Sequence, residues 1–142
     1  MIYTELTKKA MKIAFEAHKD QTDKSGMPYV FHPFHLAEQM KDENTVCIAF
    51  LHDVCEDTDI TLSELSKEGF PPEVINALKL LTHDKEVPYM DYIEKIKKNP
   101  VATAVKLADL AHNSDLSRLD KVDEKALMRM EKYKAAIEYL KK

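Results

Sequence analysis

The sequence contains very little glycine and no tryptophan, with two Gly, six Pro and two Cys among its 142 residues. So few turn-forming residues argue against a β-sandwich or a β-barrel with many turns, whereas the helix-favouring Lys, Glu, Ala, Leu and Met are plentiful. The composition therefore predicts an all-α fold, with residues 1–142 forming one globular domain.

The sequence also lacks an apolar run long enough to span a membrane, and its first residues contain no hydrophobic segment typical of a signal peptide. Cys47 and Cys55 lie eight positions apart on one predicted helix, about 12 Å from each other and too far for a disulfide. We therefore expect a cytoplasmic protein with reduced thiols. The net charge of −4 gives no general basic surface, so we expect no nucleic acid or membrane partner. The sequence does not indicate an oligomeric state.

Hydrophobic periodicity, proline positions and capping residues predict about eight helices and no strand. Pro33 is expected at the first position of the second helix, and Asn44 or Thr45 is expected to cap the third. The fourth helix is short and is opened by a capping box at 61–64. The other seven helices are predicted at about 4–19, 33–40, 45–57, 71–84, 88–99, 100–113 and 123–140.

One His and three carboxylates follow the apolar run of the third predicted helix, in the stretch "LHDVCEDT" at 51–58. On a continuous helix, His52, Asp53, Glu56 and Asp57 lie on one side, in two successive turns. Four such groups repel and desolvate one another unless a positive charge lies among them. Because imidazole and carboxylate are normal ligands of Mn, Zn and Fe, the stretch predicts part of a metal site.

Two other segments offer the remaining ligands, since one His-Asp pair cannot fill a coordination sphere. His32 precedes a helix start in "YVFHP", and Asp109 lies in the apolar helix "VKLADLAHN", where an unpaired carboxylate is costly. Lys106 and Asn113, about one turn before and after Asp109, are expected to face the same cavity. Taken singly, each residue has an ordinary explanation, such as an N-cap for His32 or a lysine partner for Asp109. Their combination favours a metal site with open positions for water and substrate.

Three segments in this order resemble the HD superfamily of metal-dependent phosphohydrolases, and most closely the hydrolase domain of RelA/SpoT-type alarmone enzymes. They are "AHKDQTDKSGMPYVFHP", "FLHDVCEDT" and "VKLADLAHN". The resemblance implies a helical HD-domain fold with a single Mn²⁺ ion. It also implies hydrolysis of ppGpp or pppGpp, with release of pyrophosphate from the 3′ position. The residues that match the family's metal ligands are His32, His52, Asp53 and Asp109.

The resemblance also implies roles for residues around the metal. Glu56 and Asp57 match a catalytic acid pair, and Asn113 matches a residue that supports both substrate binding and catalysis. Lys24 and Ser25 match the loop that holds the guanine base. By position, Glu56 is the better candidate for the general base, with Asp57 as the alternative that orients Glu56 or water. Lys106 is a further candidate for substrate binding because it precedes a metal ligand by one turn.

The sequence departs from the family pattern around the base-binding loop. Asp23 stands where the family usually has an Arg that stacks on guanine, and Asp20 stands in place of a Gly. Leu110 and Ala111 replace an Arg-Leu step after the last carboxylate ligand. Two alternatives to ppGpp hydrolysis therefore stay open. One is a phosphohydrolase for another nucleotide or a phosphorylated metabolite, and the other is a non-catalytic nucleotide-binding sensor.

Overall fold

A computed structural model describes all 142 residues and contains nine α-helices, one 3₁₀ helix and no strand beyond an isolated bridge. The all-α prediction is confirmed. None of the helices combines the length and the apolar character that a membrane span requires. The α-helices are α1 (Glu5–His18), α2 (Phe31–Glu38), α3 (Glu43–Leu51), α4 (Val54–Asp57), α5 (Leu62–Lys67), α6 (Pro72–Leu81), α7 (Tyr89–Lys97), α8 (Pro100–Asn113) and α9 (Glu124–Lys141), and the 3₁₀ helix η1 covers Leu116–Arg118.

The centre of the fold is α3, in which every residue from Thr45 to Leu51 is buried. This helix packs against α1, α2, α6 and α8. A helix that is apolar on all sides is stable only when neighbouring elements surround it, as they do here. The C-terminal end of α3 is therefore held in place by the core, and the candidate site begins at that end.

The predicted third helix, at 45–57, is divided into α3 and the short α4. The division occurs at Asp53, whose backbone angles of φ −107° and ψ 0° leave the helical region. Such angles are sparsely populated and are common among active-site residues. The prediction of one continuous helix was wrong here, so helical periodicity does not explain how His52, Asp53, Glu56 and Asp57 come together.

Two helix starts also differ from the prediction. Helix α2 begins at Phe31, which places Pro33 at its third position, where the missing N–H costs no helical hydrogen bond. Helix α3 is capped by Asp42, whose carboxylate accepts a hydrogen bond from the Thr45 N–H at 2.8 Å, and not by Asn44 or Thr45. The other predicted helices are present within a few residues of their predicted limits.

Candidate active site

The four predicted metal ligands meet at one point in the structure. His32 lies in α2, His52 follows α3, Asp53 precedes α4, and Asp109 lies in α8. Each residue offers one ligand atom, and these four atoms lie within 4.8 Å of one another. His32, His52 and Asp109 are buried, and Asp53 is half-buried. Three segments distant in sequence therefore form one compact set of two imidazoles and two carboxylates.

The surroundings of His52 show whether this set of residues fits a metal ion. Its Nδ1–H donates to the carbonyl oxygen of Ala49 at 2.7 Å, so Nε2 of the neutral ring carries a lone pair. Nε2 is buried, has no hydrogen-bond partner, and lies 2.9 Å from Asp53 Oδ2 and 3.5 Å from Asp109 Oδ1. Burial alone lowers the pKa of His52, but the two carboxylates raise it well above its ordinary value. The site thus attracts positive charge, and a divalent cation fits these donors.

Asp53 is held by Tyr29, a residue that the sequence analysis did not single out. The Tyr29 hydroxyl donates a hydrogen bond to Asp53 Oδ2. Burial and the charge of Asp53 raise the pKa of Tyr29 far above its ordinary value, so the hydroxyl keeps its proton. Tyr29 therefore orients a predicted metal ligand, as outer-shell hydrogen bonds do in known metal sites. The sequence offered one signal for Tyr29, which is that it lies three residues before His32 in the same segment that resembles the family.

Three side chains contact Asp109. Lys106 Nζ and Asn113 Nδ2 donate hydrogen bonds to its carboxylate at 2.9 and 3.0 Å, and His32 Nε2 lies 2.8 Å from its Oδ1. Burial opposes the charge of Asp109, but Lys106 and the two imidazoles keep its pKa well below the ordinary value. Lys106 and Asn113 lie in the predicted cavity, and both contact a predicted metal ligand directly.

The imidazole of His112 contacts that of His32. The Nδ1 atoms of His32 and His112 lie 2.7 Å apart, and the two rings are stacked with centroids 5.0 Å apart. Burial and the nearby Arg118 lower the pKa of His112 to about 4, so that its ring is neutral and offers a lone pair. With His32 Nδ1–H donating to that lone pair, His32 Nε2 is available as a metal ligand.

A cavity of about 550 Å³, here called the metal cavity, opens beside these ligands and is also lined by Glu56 and Asp57 of α4. Glu56 Oε1 accepts a hydrogen bond from the backbone N–H of His83 at 2.7 Å. Burial, together with Asp53 and Glu56, raises the pKa of Asp57 to about 6. Two carboxylates that differ in their surroundings therefore lie in the cavity next to the ligand cluster.

A second cavity of about 340 Å³, here called the loop cavity, is lined by the loop at 22–25 and by η1. Lys24 lines both cavities. The Ser25 hydroxyl, in contrast, donates to the backbone oxygen of Arg118 at 2.8 Å and accepts from the Asp120 N–H at 3.3 Å. Of the two predicted base-binding residues, Lys24 has a free side chain, whereas the Ser25 hydroxyl joins the loop to η1.

Asp23 turns its carboxylate toward its own loop and toward Arg118. Its Oδ1 accepts hydrogen bonds from the N–H groups of Ser25 and Met27 at 2.9 and 3.0 Å, and its Oδ2 lies 3.7 Å from Arg118 Nη2. Arg118 also donates to the backbone oxygen of His112 at 2.9 Å. A guanidinium therefore lines the loop cavity beside Asp23, supplied by η1. The sequence analysis missed it, because nothing in the sequence links these two distant segments.

Comparisons with known proteins point to one group of enzymes, although no family model matches the chain. A guanosine-3′,5′-bis(diphosphate) 3′-pyrophosphohydrolase of Aquifex aeolicus is 34% identical over 144 aligned positions, which cover 93% of this chain and 19% of that protein. A GTP pyrophosphokinase rsh of Brucella melitensis is 34% identical over 123 positions, covering 76% of this chain and 16% of that protein. The chain thus spans about a fifth or less of the length of these relatives.

A solved structure shares the fold. It is described as a metazoan ortholog of SpoT that hydrolyzes ppGpp and plays a role in starvation responses. The superposition has a TM-score of 0.81 and covers 99% of this chain and 87% of that one, at 24% sequence identity. The arrangement of helices around the ligand cluster is therefore one that a known protein adopts.

Proposed function

Because the chain is related to the hydrolase domain of RelA/SpoT-type enzymes, we propose that it hydrolyses ppGpp and pppGpp at the 3′ position, forming GDP or GTP and pyrophosphate. Residues 1–142 form one hydrolase domain of the HD type in this proposal. The observation that carries it is the unpartnered lone pair of His52 Nε2 beside Asp53 and Asp109, next to a cavity with two further carboxylates.

The proposed cofactor is one Mn²⁺ ion, with His32, His52, Asp53 and Asp109 as its ligands. A mixed set of imidazoles and carboxylates suits Mn²⁺ better than soft, thiolate-binding metals. When bound, such an ion supplies Lewis-acid charge to a phosphoryl oxygen and acidifies water. Tyr29 and Asn113 hold the two ligand carboxylates, Asp53 and Asp109, in place by hydrogen bonds.

Glu56 is the proposed general base. Its Oε1 is fixed by the His83 amide, which leaves Oε2 without a hydrogen-bond partner and available to take a proton from the attacking water. Asp57 lies in the same cavity and orients that water or Glu56. This assignment uses the hydrogen bond to His83, which fixes the orientation of one carboxylate.

The substrate would occupy both cavities. Four residues line the metal cavity and the loop cavity alike, namely Lys24, Tyr29, Asn113 and Tyr133. A nucleotide with its 3′-diphosphate in the metal cavity would therefore place its nucleoside in the loop cavity, next to Lys24 and Arg118. Asn113 donates to Asp109 and lines both cavities, which fits a role in holding substrate as well as the ligand.

A second candidate function is hydrolysis of another phosphorylated nucleotide. It is favoured by Asp23, which places a carboxylate beside the guanidinium of Arg118 and reduces the positive charge that the loop cavity offers to a base or a phosphate.

We further propose a reducing, cytoplasmic setting. Its support is that Cys47 and Cys55 are both free thiols.

A hydrolysis screen tests these proposals. The wild-type protein and Asp53→Ala are compared in Mn²⁺ on ppGpp, pppGpp and other nucleoside phosphates, with pyrophosphate release as the readout. We expect one pyrophosphate per ppGpp from the wild type, and a rate lower by at least about three orders of magnitude in the variant. Cleavage of other nucleotides with ppGpp intact would support the second candidate. Binding of ppGpp without turnover of any nucleotide would support a sensor.

A further inference from the structure

One wall of the metal cavity is built mostly by side chains that have no part in the function proposed above. It is built by residues near or in α7 and α9, including Tyr89, Tyr92, Lys132 and Tyr133. The ammonium of Lys132 lies 4.5 Å from the centre of the Tyr89 ring and 5.6 Å from that of Tyr133. Two aromatic faces therefore hold a cation at the edge of the cavity in which the reaction is proposed to occur.

The three lysines that line this cavity are not equivalent. Lys106 Nζ lies 2.9 Å from Asp109, so its charge is already compensated. Lys132, in contrast, has no carboxylate within 4.0 Å and makes no hydrogen bond in the structure, and the same holds for Lys24. Lys132 is therefore a cation in the metal cavity whose donors are free to bind an anion.

The charges around Lys132 explain why such a cation is needed. The carboxylates of Asp53, Glu56, Asp57 and Asp109 also line the metal cavity. A substrate with a diphosphate carries several negative charges, which these carboxylates repel. An aromatic ring attracts an ammonium but does not neutralise it, so Lys132 keeps its full charge for a phosphate group.

The position of Lys132 decides which phosphates it can reach. Lys132 lines the metal cavity but not the loop cavity, which contains Arg118 and Arg129. We propose that Lys132 binds the 3′-diphosphate of the substrate and then the pyrophosphate that leaves. This inference rests on the proposed function and adds a specificity-determining residue to it. Lysine suits this role because it binds phosphate as a point charge.

The first test measures binding without turnover. Inorganic pyrophosphate is titrated calorimetrically into the Mn²⁺-loaded wild type and into Lys132→Met, which keeps an unbranched side chain against the tyrosine rings. We expect the affinity to fall about 10- to 100-fold, as for the loss of a charge-assisted hydrogen bond. Lys134→Met, on the same helix but outside the metal cavity, is the matched control and should bind as the wild type does. Equal affinities for the wild type and Lys132→Met would overturn the proposal.

The second test uses the substrates themselves. For both ppGpp and pppGpp, Lys132→Met should raise KM by the same factor, about tenfold or more, with kcat within about threefold of the wild type. An effect that depends on the number of 5′-phosphates would overturn the assignment to the 3′ side. Lys132→Arg should recover most of the affinity, and failure of this charge-conserving variant to differ from Lys132→Met would also count against the proposal.

The two tests separate this inference from the proposed function. If the wild type hydrolyses neither nucleotide, the proposed function fails, while weaker pyrophosphate binding by Lys132→Met still supports a phosphate site at Lys132. If the wild type hydrolyses ppGpp and Lys132→Met is unchanged in both tests, only the role of Lys132 fails. Thermal unfolding of each variant shows whether it is folded. If Lys132→Met is destabilised, the pyrophosphate affinity of Lys132→Arg is compared with that of the wild type instead. We expect the two affinities to agree within about fivefold, and a loss as large as about 100-fold would overturn the proposal.

Discussion

The candidate metal centre and the loop cavity lie side by side but are built in different ways. The predicted ligands lie in or at the ends of helices that pack in the core, and each has a hydrogen-bond or ion-pair neighbour from another segment. The loop cavity is lined by the loop at 22–25 and by η1, where Lys24 is exposed and Asp23 partly so. Reaction chemistry on a rigid core and recognition on loops is a common division in enzymes.

The two regions meet at Arg118. Its guanidinium lies beside Asp23 of the loop cavity and also donates a hydrogen bond to the backbone oxygen of His112, whose ring contacts the predicted ligand His32. The difference between the regions is therefore one of rigidity and burial, with one side chain joining them. Substitutions in each region should separate metal binding from substrate binding, and the following predictions test that separation.

The largest effect is expected at the metal centre. Asp109→Asn keeps the shape of the side chain but removes the negative charge that the buried cluster needs to hold a cation. We expect the purified protein to lose its bound metal, measured by elemental analysis, and its hydrolysis rate to fall by at least about three orders of magnitude. Asp91→Asn, an exposed carboxylate on α7, is the control and should keep both properties. Full metal content in Asp109→Asn would contradict the assigned ligand set.

A smaller effect is expected where the two regions meet. Arg118→Met removes the bond to the His112 backbone and the charge beside Asp23, but no metal ligand. We expect KM for ppGpp to rise about tenfold, with metal content unchanged. The KM of Arg118→Lys should lie between those of the wild type and Arg118→Met, because lysine keeps the charge but loses the planar fork of donors. Loss of metal from Arg118→Met would show that the regions are not separable.

The smallest effect concerns the stability of the metal cavity. Burial, Asp53 and Glu56 raise the pKa of Asp57 to about 6. A folded-state pKa above the ordinary value means that the ionised carboxylate destabilises the fold above that pH, and that the neutral form at low pH does not. With a chelator present to remove metal ions, Asp57→Asn should therefore raise the thermal unfolding midpoint by about 1–3 °C at pH 8, with little change at pH 4. An equal shift at both pH values would rule out ionisation as the cause.

Much of the fold could be predicted from the sequence, because the signals are local. The capping box at Thr61 and Glu64 and the prolines at the starts of α6 and α8 act within a single turn of helix. Fold class follows from the same local preferences summed over the chain. The four residues of the candidate metal cluster could also be picked out from the sequence, since a His-Asp pair after an apolar run and a carboxylate inside an apolar helix are unusual wherever they occur.

The sequence by itself thus determined the all-α fold and the residue types of the candidate metal cluster, because both depend on local preferences and residue types. Tertiary structure alone decided the break at Asp53, the contact of Tyr29 with that carboxylate, and the pairing of Arg118 with Asp23. These features depend on which distant segments pack together, and a hydrogen bond or ion pair between such segments leaves no periodic pattern in either one. For the same reason, the free cation at Lys132 is recognisable only once the partners of the other lysines are known.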